Sequence, residues 1–457
     1  MIADRHPSSY RDPSGFLYFH NQVLYRQVNL SFKNDFDLLL SSGLYNFLVE
    51  NNLLVPHLQR NENFRNDEQW LTTLEPELLP FISYPSEWCF DMLKDAALLT
   101  LSIAEAAMEH GMMLKDASAY NMQFYKGRMM LVDSLSFEKY NPTRPWIAYR
   151  QFCEHFLAPL AVMHYMKFPL QDLWKAYPEG FPLQLVKKML PFKSKFNLHV
   201  YLHLHLHAGM AAKITPGNRT NHHSFSEAKL KNLFRSLRSA VESFHLKDPS
   251  GVWSGYYDEA GQRDDYVERK KEIIREWLKE LNAGTVFDAG ANEGSFSKIA
   301  SSLQMFTIAA DLDHFSINNL YNHAKKEKLE NIYPLVMNLA APTPATGLNN
   351  NERSSFLSRI NSDVVMALAL IHHLSIGNNI PFELSAPMFA SMGTYLVIEF
   401  VPKTDPKVAF MLQQKKDVFD EYSEVNFLSA FRRYYSVIKS TPVGKSSRTM
   451  FLMKKNG

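Results

Sequence analysis

The segment Asp288-Ala-Gly290-Ala-Asn292-Glu-Gly294-Ser-Phe296 follows directly on the apolar run Thr285-Val286-Phe287. Where a buried strand turns into a helix over small residues, the backbone can adopt unusual dihedrals and approach a ligand closely. In open α/β sheets, ligands bind outside the carboxyl ends of the strands, and this turn falls at such an end. Further along, His372 and His373 close an apolar stretch. Imidazole titrates near neutral pH, so either could act as a base. Glu399 ends the run Tyr395-Leu396-Val397-Ile398 and is a second candidate on the substrate side. No cysteine lies in this part of the chain, which excludes thiolate nucleophile chemistry there.

These residues need a scaffold, and the flanking patterns supply one. Tyr266, Ile273, Ile274, Trp277, Leu278 and Leu281 share one side of a helix, which Asn282 and Gly284 stop. Short apolar strands follow at 285–288, 305–310 and 332–337, then at 363–368 and 395–399, separated by helical stretches. Ser447–Leu452 reads as a last strand. Apolar strands alternating with helices specify an α/β fold with a parallel sheet.

The glycine turn is not a dinucleotide fingerprint, because Asn292 and Ser295 stand where the second and third glycines would be. It resembles the first motif of class I S-adenosylmethionine-dependent methyltransferases, Asp-x-Gly-x-Gly-x-Gly, in a form with asparagine at the centre. The resemblance covers residues 263–457. It implies a Rossmann-like sheet with helices on both faces and S-adenosylmethionine as the cofactor. It implies a cofactor site of Asp288, Gly290, Asn292, Gly294, Asp311 and Asn338. Asp311 closes the second strand, where a carboxylate can accept hydrogen bonds from both ribose hydroxyls, and Asp313 is an alternative. Asn338 follows the third strand, on the adenine side, and His372-His373 would lie beside the methyl group. The Asn/Asp-Pro-Pro-Tyr tetrapeptide of many amide and adenine N-methyltransferases is absent after the fourth strand, which disfavours DNA and glutamine as acceptors. No metal is implied.

A second constellation lies upstream. Lys115-Asp116, Asn121 and Asp133 surround a hairpin of 122–124 and 129–132 that turns at Lys126-Gly127. An apolar helix over about residues 88–109 precedes it. This resembles the catalytic loop of protein kinases and aminoglycoside-type phosphotransferases, which would make Asp116 the base and Asn121 and Asp133 ligands of Mg²⁺. Residues 1–80 hold no glycine-rich phosphate loop, Arg26 is the nearest thing to the strand lysine, and Ser-Leu replaces Phe-Gly after Asp133.

Three regions result: an N-terminal, mostly helical α+β domain at 1–208, a linker with a connecting helix at 209–262, and the methyltransferase-like region at 263–457. Within the second, Lys213, Arg219, Lys229, Lys231, Arg235, Arg238 and Lys247 face only Glu227 and Glu242 over 209–247, a basic stretch that could touch a polyanion. Trp253, Tyr256 and Tyr257 could fold over a cofactor. His199, His203, His205 and His207 have metal-like spacing, but leucines interleave them and no acidic residue is near, so core and surface histidines are expected.

Composition sets outer bounds. The 457 residues carry 49 Lys+Arg against 47 Asp+Glu, a net +2 that argues against a chain coated with nucleic-acid-binding charge. Hydrophobic residues make up 46%, ample for cores. Cys89 and Cys153 alone cannot build a disulfide framework or a cysteine zinc site. No apolar run reaches the roughly 18 residues of a membrane span and no signal-peptide pattern opens the chain. A soluble cytoplasmic protein is expected.

The expected reaction is methyl transfer to an oxygen or nitrogen nucleophile of a small molecule or metabolite, with no membrane partner. The arrangement also resembles a bacterial group of fused methyltransferases that includes relatives of host-specific nodulation proteins. Two alternatives stand: an RNA methyltransferase, and an ATP-binding kinase-like protein with a regulatory methyltransferase-like domain.

Overall fold

The computed structural model describes residues 5–170, 172–206, 226–246, 264–413 and 417–457. Trp253, Tyr256, Tyr257, Lys213, Arg219, Lys247 and His207 lie outside them. The chain divides into two compact units. The first comprises 1–247 and 345–354, the second 248–344 and 355–457. The helix Glu227–Ser243, placed by the sequence in a connecting region, is thus part of the first unit, and so is a short piece of the C-terminal half.

In the first unit, β1 (Gly15–His20), β2 (Val23–Asn29), β3 (His57–Arg60) and β4 (Trp70–Pro76) form an antiparallel sheet in the order β1-β2-β4-β3. The β1–β2 turn is made by Asn21 and Gln22, both at positive φ. Glutamine is an uncommon residue for a tight hairpin turn, so the sequence pattern does not announce this sheet. Helices Lys33–Ser41 and Leu44–Glu50 separate β2 from β3. The expected apolar helix spans Phe90–Glu109, and Gly111 at φ +73° follows its end. Beyond it, β5 (Met112–Leu114) pairs with β8 (Phe137–Lys139), and β6 (Met122–Tyr125) with β7 (Arg128–Leu131). Lys126 and Gly127 both take positive φ in the β6–β7 turn, the conformation a two-residue hairpin needs.

The second unit is built on seven strands, β9 (Thr285–Ala289), β10 (Phe306–Asp311), β11 (Ile332–Val336), β12 (Ser362–Ala367), β13 (Gly393–Phe400), β14 (Tyr435–Pro442) and β15 (Thr449–Lys455). Their order is β11-β10-β9-β12-β13-β15-β14. The first five are parallel, whereas β15 runs antiparallel to both β13 and β14. The central strands are buried, as their Val, Phe, Ile and Ala content requires. The amphipathic helix Asp264–Leu281 lays Ile273, Ile274, Trp277 and Leu278 against Val286, Val364, Met366, Val397 and Leu452 on one face of the sheet. Chain order reverses between β9 and β12, and in open α/β sheets the carboxyl ends of the strands at such a switch are where ligands bind.

Candidate active site at the carboxyl ends of the parallel strands

After β9 the chain takes positive φ at Gly290, Asn292 and Gly294 before entering helix Ser297–Ser302. The N–H groups of Gly290 and Ala291 donate to the carbonyl of Ala310, at 2.8 and 3.0 Å, which ties the turn to β10. A Cβ on Gly294 would stand 2.5 Å from Leu320 Cδ1. A Cβ on Gly290 would meet Leu370 at 3.4 Å. The segment after β12 therefore lies against the turn after β9, as the strand order demands.

Asp288 is buried and accepts from the Ser297 hydroxyl at 2.6 Å. Burial pushes its carboxyl up to about 6, although Ser297 and the nearby Lys270 pull the other way. Asp311 ends β10 beneath the turn. Its Oδ2 accepts from Asn292 N–H and its Oδ1 from Asp313 N–H, each at 2.8 Å. Each oxygen keeps a lone pair, so the carboxylate can still accept two hydroxyl hydrogen bonds. Burial raises its pKa, opposed by those backbone donors. Asp313, the alternative, instead caps the next helix, accepting from Phe315 and Ser316 N–H and from the Ser316 hydroxyl. Asn338 Oδ1 accepts from Ala340 N–H at 2.9 Å, so its NH₂ group is the half left for a ligand. Asp288, Gly290, Asn292, Gly294 and Asp311 thus share one turn and its neighbouring strand end. Left-handed backbone and a two-hydroxyl acceptor fit a nucleoside cofactor.

The other side of the turn is formed after β12. Ala369 takes φ +51°, and a wide helical turn spans His373–Gly377. Wide turns and left-handed non-glycine residues concentrate at functional sites. The His372 and His373 rings lie 4.3 Å apart. His372 is buried, with a pKa well below the ordinary imidazole value, through burial first, then repulsion from His373, Arg448 and Lys270. His373 is less buried, and its pKa is also lowered by burial and Arg448. Both imidazoles are neutral at pH 7. His372 Nδ1 and Ser375 Oγ are buried without a hydrogen-bond partner among the described residues.

Glu399, the second candidate for the substrate side, is tied to protein side chains. It is fully buried at the end of β13, and its Oε2 accepts from Lys270 Nζ at 2.6 Å. Its Oε1 accepts from the Tyr266 hydroxyl and lies 3.6 Å from Arg448. Arg448 in turn donates to both oxygens of Asp405 (2.8 and 3.1 Å) and to Tyr266 (2.9 Å). Burial would raise the Glu399 pKa, but Lys270 and Arg448 hold it below the ordinary carboxylate range. A carboxylate so committed positions its neighbours. Lys270, Tyr266, Asp405 and Arg448 were missed in the sequence because they lie up to 182 residues apart.

In the first unit, Asp116 Oδ1 accepts from Gln151 Nε2 at 2.7 Å and from Ser118 N–H at 3.0 Å. Asn121 donates to Ser136, and the Ser136 hydroxyl donates to Asp133 at 2.7 Å. Asp133 also accepts from Arg26, on β2. Burial would raise the Asp133 pKa, but Arg26 wins and lowers it. The groups that the kinase-like resemblance would aim at Mg-nucleotide thus hold protein side chains. His203 is hydrogen-bonded to Tyr149 (2.8 Å) and to Ser236 (2.8 Å), His199 to Ser236 (2.9 Å), and His205 to Ser194 (2.8 Å). Among the described residues no group of three or more His, Cys, Asp or Glu could hold a metal. Within the basic helix, Lys231 pairs with Glu227 at 2.6 Å and Arg238 with Glu105 at 2.7 Å.

Parallel strands three-two-one-four-five, flanked by an antiparallel seventh, with the glycine turn after strand one, decide the fold. The second unit has the class I methyltransferase fold. No family model matches the chain. Along nearly its whole length the chain is similar to nodulation protein NoeA of Rhizobium meliloti (strain 1021), 29% identical over 461 residues, covering 98% of this chain and 95% of that protein. Among solved structures it is similar to N-methyltransferase NodS from Bradyrhizobium japonicum WM9 (9% identity, 42% of this chain and 98% of that one, TM-score 0.32). It is similar also to magnesium protoporphyrin IX methyltransferase from Synechocystis PCC 6803 with bound SAH (16%, 42% and 85%, TM-score 0.31). A third likeness is to WbdD (15%, TM-score 0.30), where the match covers 45% of this chain and less than half, 43%, of that one.

Proposed function

We propose that this protein is an S-adenosylmethionine-dependent methyltransferase acting on an oxygen or nitrogen nucleophile of a small molecule. The observation that carries this reading is Asp311, held under the Gly290–Gly294 turn at the switch between β9 and β12. Asp288, Gly290, Asn292, Gly294 and Asp311 would hold the cofactor, and Asn338 would face its base. The cofactor supplies an electrophilic methyl group, and transfer needs alignment and exclusion of water more than covalent help. Leu370, packed on the turn, and the buried His372 provide a water-poor wall. Neutral His372 and His373 can orient the acceptor by hydrogen bonding and take its proton as it is methylated. A proton on His372 is disfavoured first by burial and then by His373, Arg448 and Lys270, so an acceptor that is already nucleophilic suits this site best. Arg238 is paired with Glu105 of the helix Phe90–Glu109 and Lys231 with Glu227 one turn away on its own helix, which neutralises part of the basic face and weighs against RNA as acceptor. The likeness to NoeA along both halves supports treating the two units as one working protein.

The test is calorimetric titration of the full chain with S-adenosylmethionine, for wild type and Asp288→Ala. Binding by the wild type that is lost in the variant supports the reading and justifies an acceptor screen. A folded wild type that binds no S-adenosylmethionine overturns it.

A further inference from the structure

The turn Phe192–Phe196 and the residues after it present apolar side chains outward from the first unit. Phe192 is 69% exposed, Phe196 80% and Leu198 64%. The two rings meet edge to face at 5.7 Å, and Lys195 Nζ sits 4.9 Å from the centre of the Phe192 ring. The turn is fixed from within. Ser194 is fully buried, bonded to the Pro191 carbonyl at 2.7 Å and to His205 at 2.8 Å. Asn197 caps the next turn, accepting from His199 and Val200 N–H, and Val200 and Leu204 are buried behind it. With its inner residues anchored, the turn holds Phe192 and Phe196 outward in a preset geometry.

The charge along this stretch of the chain has one sign, and the exposed Glu242 stands next to the Ser243 that Asn197 bonds. Lys187, Lys188, Lys193 and Lys195 are all exposed, and none is ion-paired among the described residues. The sequence holds no aspartate or glutamate from Gly180 to Ser226. Apolar tips ringed by lysines complement an anionic lipid surface, where rings and aliphatic chains enter the acyl boundary and ammonium groups meet the headgroups. Single-stranded nucleic acid also takes aromatic and basic groups, but Leu198 has no ring face on which a base can stack. No helix among the described residues is long and apolar enough to cross a membrane, and an interfacial patch needs none.

We propose that the Phe192–Leu198 surface is a peripheral docking site for an anionic bilayer, seated by Phe192, Phe196 and Leu198 and steered by the four lysines. This departs from the expectation of no membrane partner, and it stands independently of the methyltransferase reading. The test is co-sedimentation of the full chain with vesicles of phosphatidylcholine alone and of phosphatidylcholine with roughly a quarter phosphatidylglycerol. Binding is expected only to the anionic vesicles and should weaken with added salt. Phe192→Ser/Phe196→Ser should reduce partitioning by at least about tenfold. Lys193→Gln/Lys195→Gln, a purely surface change that keeps the test open if the first variant misfolds, should reduce it by roughly fivefold per lysine. Equal binding by wild type and both variants, or none to anionic vesicles, overturns the proposal. So does a wild-type dimer that Phe192→Ser/Phe196→Ser dissociates, which would assign the patch to a second copy of the chain. Single-stranded RNA bound in preference to anionic vesicles overturns it as well.

Discussion

Breaking the Lys270–Glu399 pair tests whether the polar cluster at the end of β13 is one coupled unit. The ammonium and the carboxylate lie 2.6 Å apart with side-chain exposures of 5% and 0%. Removing one partner of such a pair costs about 3–5 kcal/mol, because the other is left buried without its counter-ion. Lys270→Met leaves Glu399 with Tyr266 and with Arg448 at 3.6 Å, so the lower end, about 3 kcal/mol, is expected. Glu399→Gln leaves both Lys270 and Arg448 short of an anion, for about 3–4 kcal/mol. The double variant Lys270→Met/Glu399→Gln removes both charges. A coupling of about 2–3 kcal/mol should bring its cost back near that of one single variant. Differential scanning calorimetry of the full chain measures this on the transition that S-adenosylmethionine raises, since a ligand stabilises the unit it binds. Each single variant should lower that transition by about 6–16 °C. The Glu399 contribution is present above the ordinary glutamate range and lost as pH falls through its lowered pKa, so the deficits should shrink in acid. Costs under about 1 kcal/mol, or a double variant equal to the sum of the singles, would refute the coupling.

Other outcomes follow from the same geometry. Asp288 is pushed up to about 6, so if the cofactor binds its carboxylate, affinity should fall as pH drops through that value. Titration at several pH values should show the inflection in wild type and lose it in Asp288→Asn. Gly294→Ala places a Cβ 2.5 Å from Leu320 at φ +72°, and should cost about 2–4 kcal/mol, read as a lower Tm. In the first unit, Arg26→Ala leaves Asp133 buried with only Leu135 N–H and the Ser136 hydroxyl, and should destabilise by roughly 3 kcal/mol in thermal unfolding. Mg-ATP should leave the wild-type Tm unmoved, because Arg26 and Gln151 already occupy Asp133 and Asp116. A clear upward shift would show that these pairs open to admit a nucleotide.

The turn after β9 was legible in the sequence because its determinants are local. Asp288, Gly290, Asn292 and Gly294 lie within seven positions, and the apolar strands around them carry period and length. The expected strands match β9 to β13 within two residues at their ends. Strand β14 was not read, because Tyr435–Pro442 alternates apolar with polar at an edge of the sheet. The polar cluster at the end of β13 was harder. Glu399 was visible as a carboxylate at a strand end, but its role depends on Lys270, 129 residues away, and Arg448. Folding creates those neighbours, and no period or spacing announces them. The histidine run shows the converse case, in which suggestive spacing met ordinary partners, Tyr149, Ser194 and Ser236.

Residues 345–354 count with the first unit, although they lie between β11 and β12 of the second. There Glu352 accepts from Tyr10 at 3.0 Å and from both the Nε and Nη2 of Arg11, while Arg353 stacks 3.9 Å from the centre of the Tyr120 ring. The two units are therefore interleaved along the gene rather than laid end to end. A single cut near residue 247 would yield an N-terminal fragment without its Glu352 and a C-terminal fragment carrying an orphaned loop. Recombination could exchange either module cleanly only by crossing over three times, which favours inheritance of the pair as one piece.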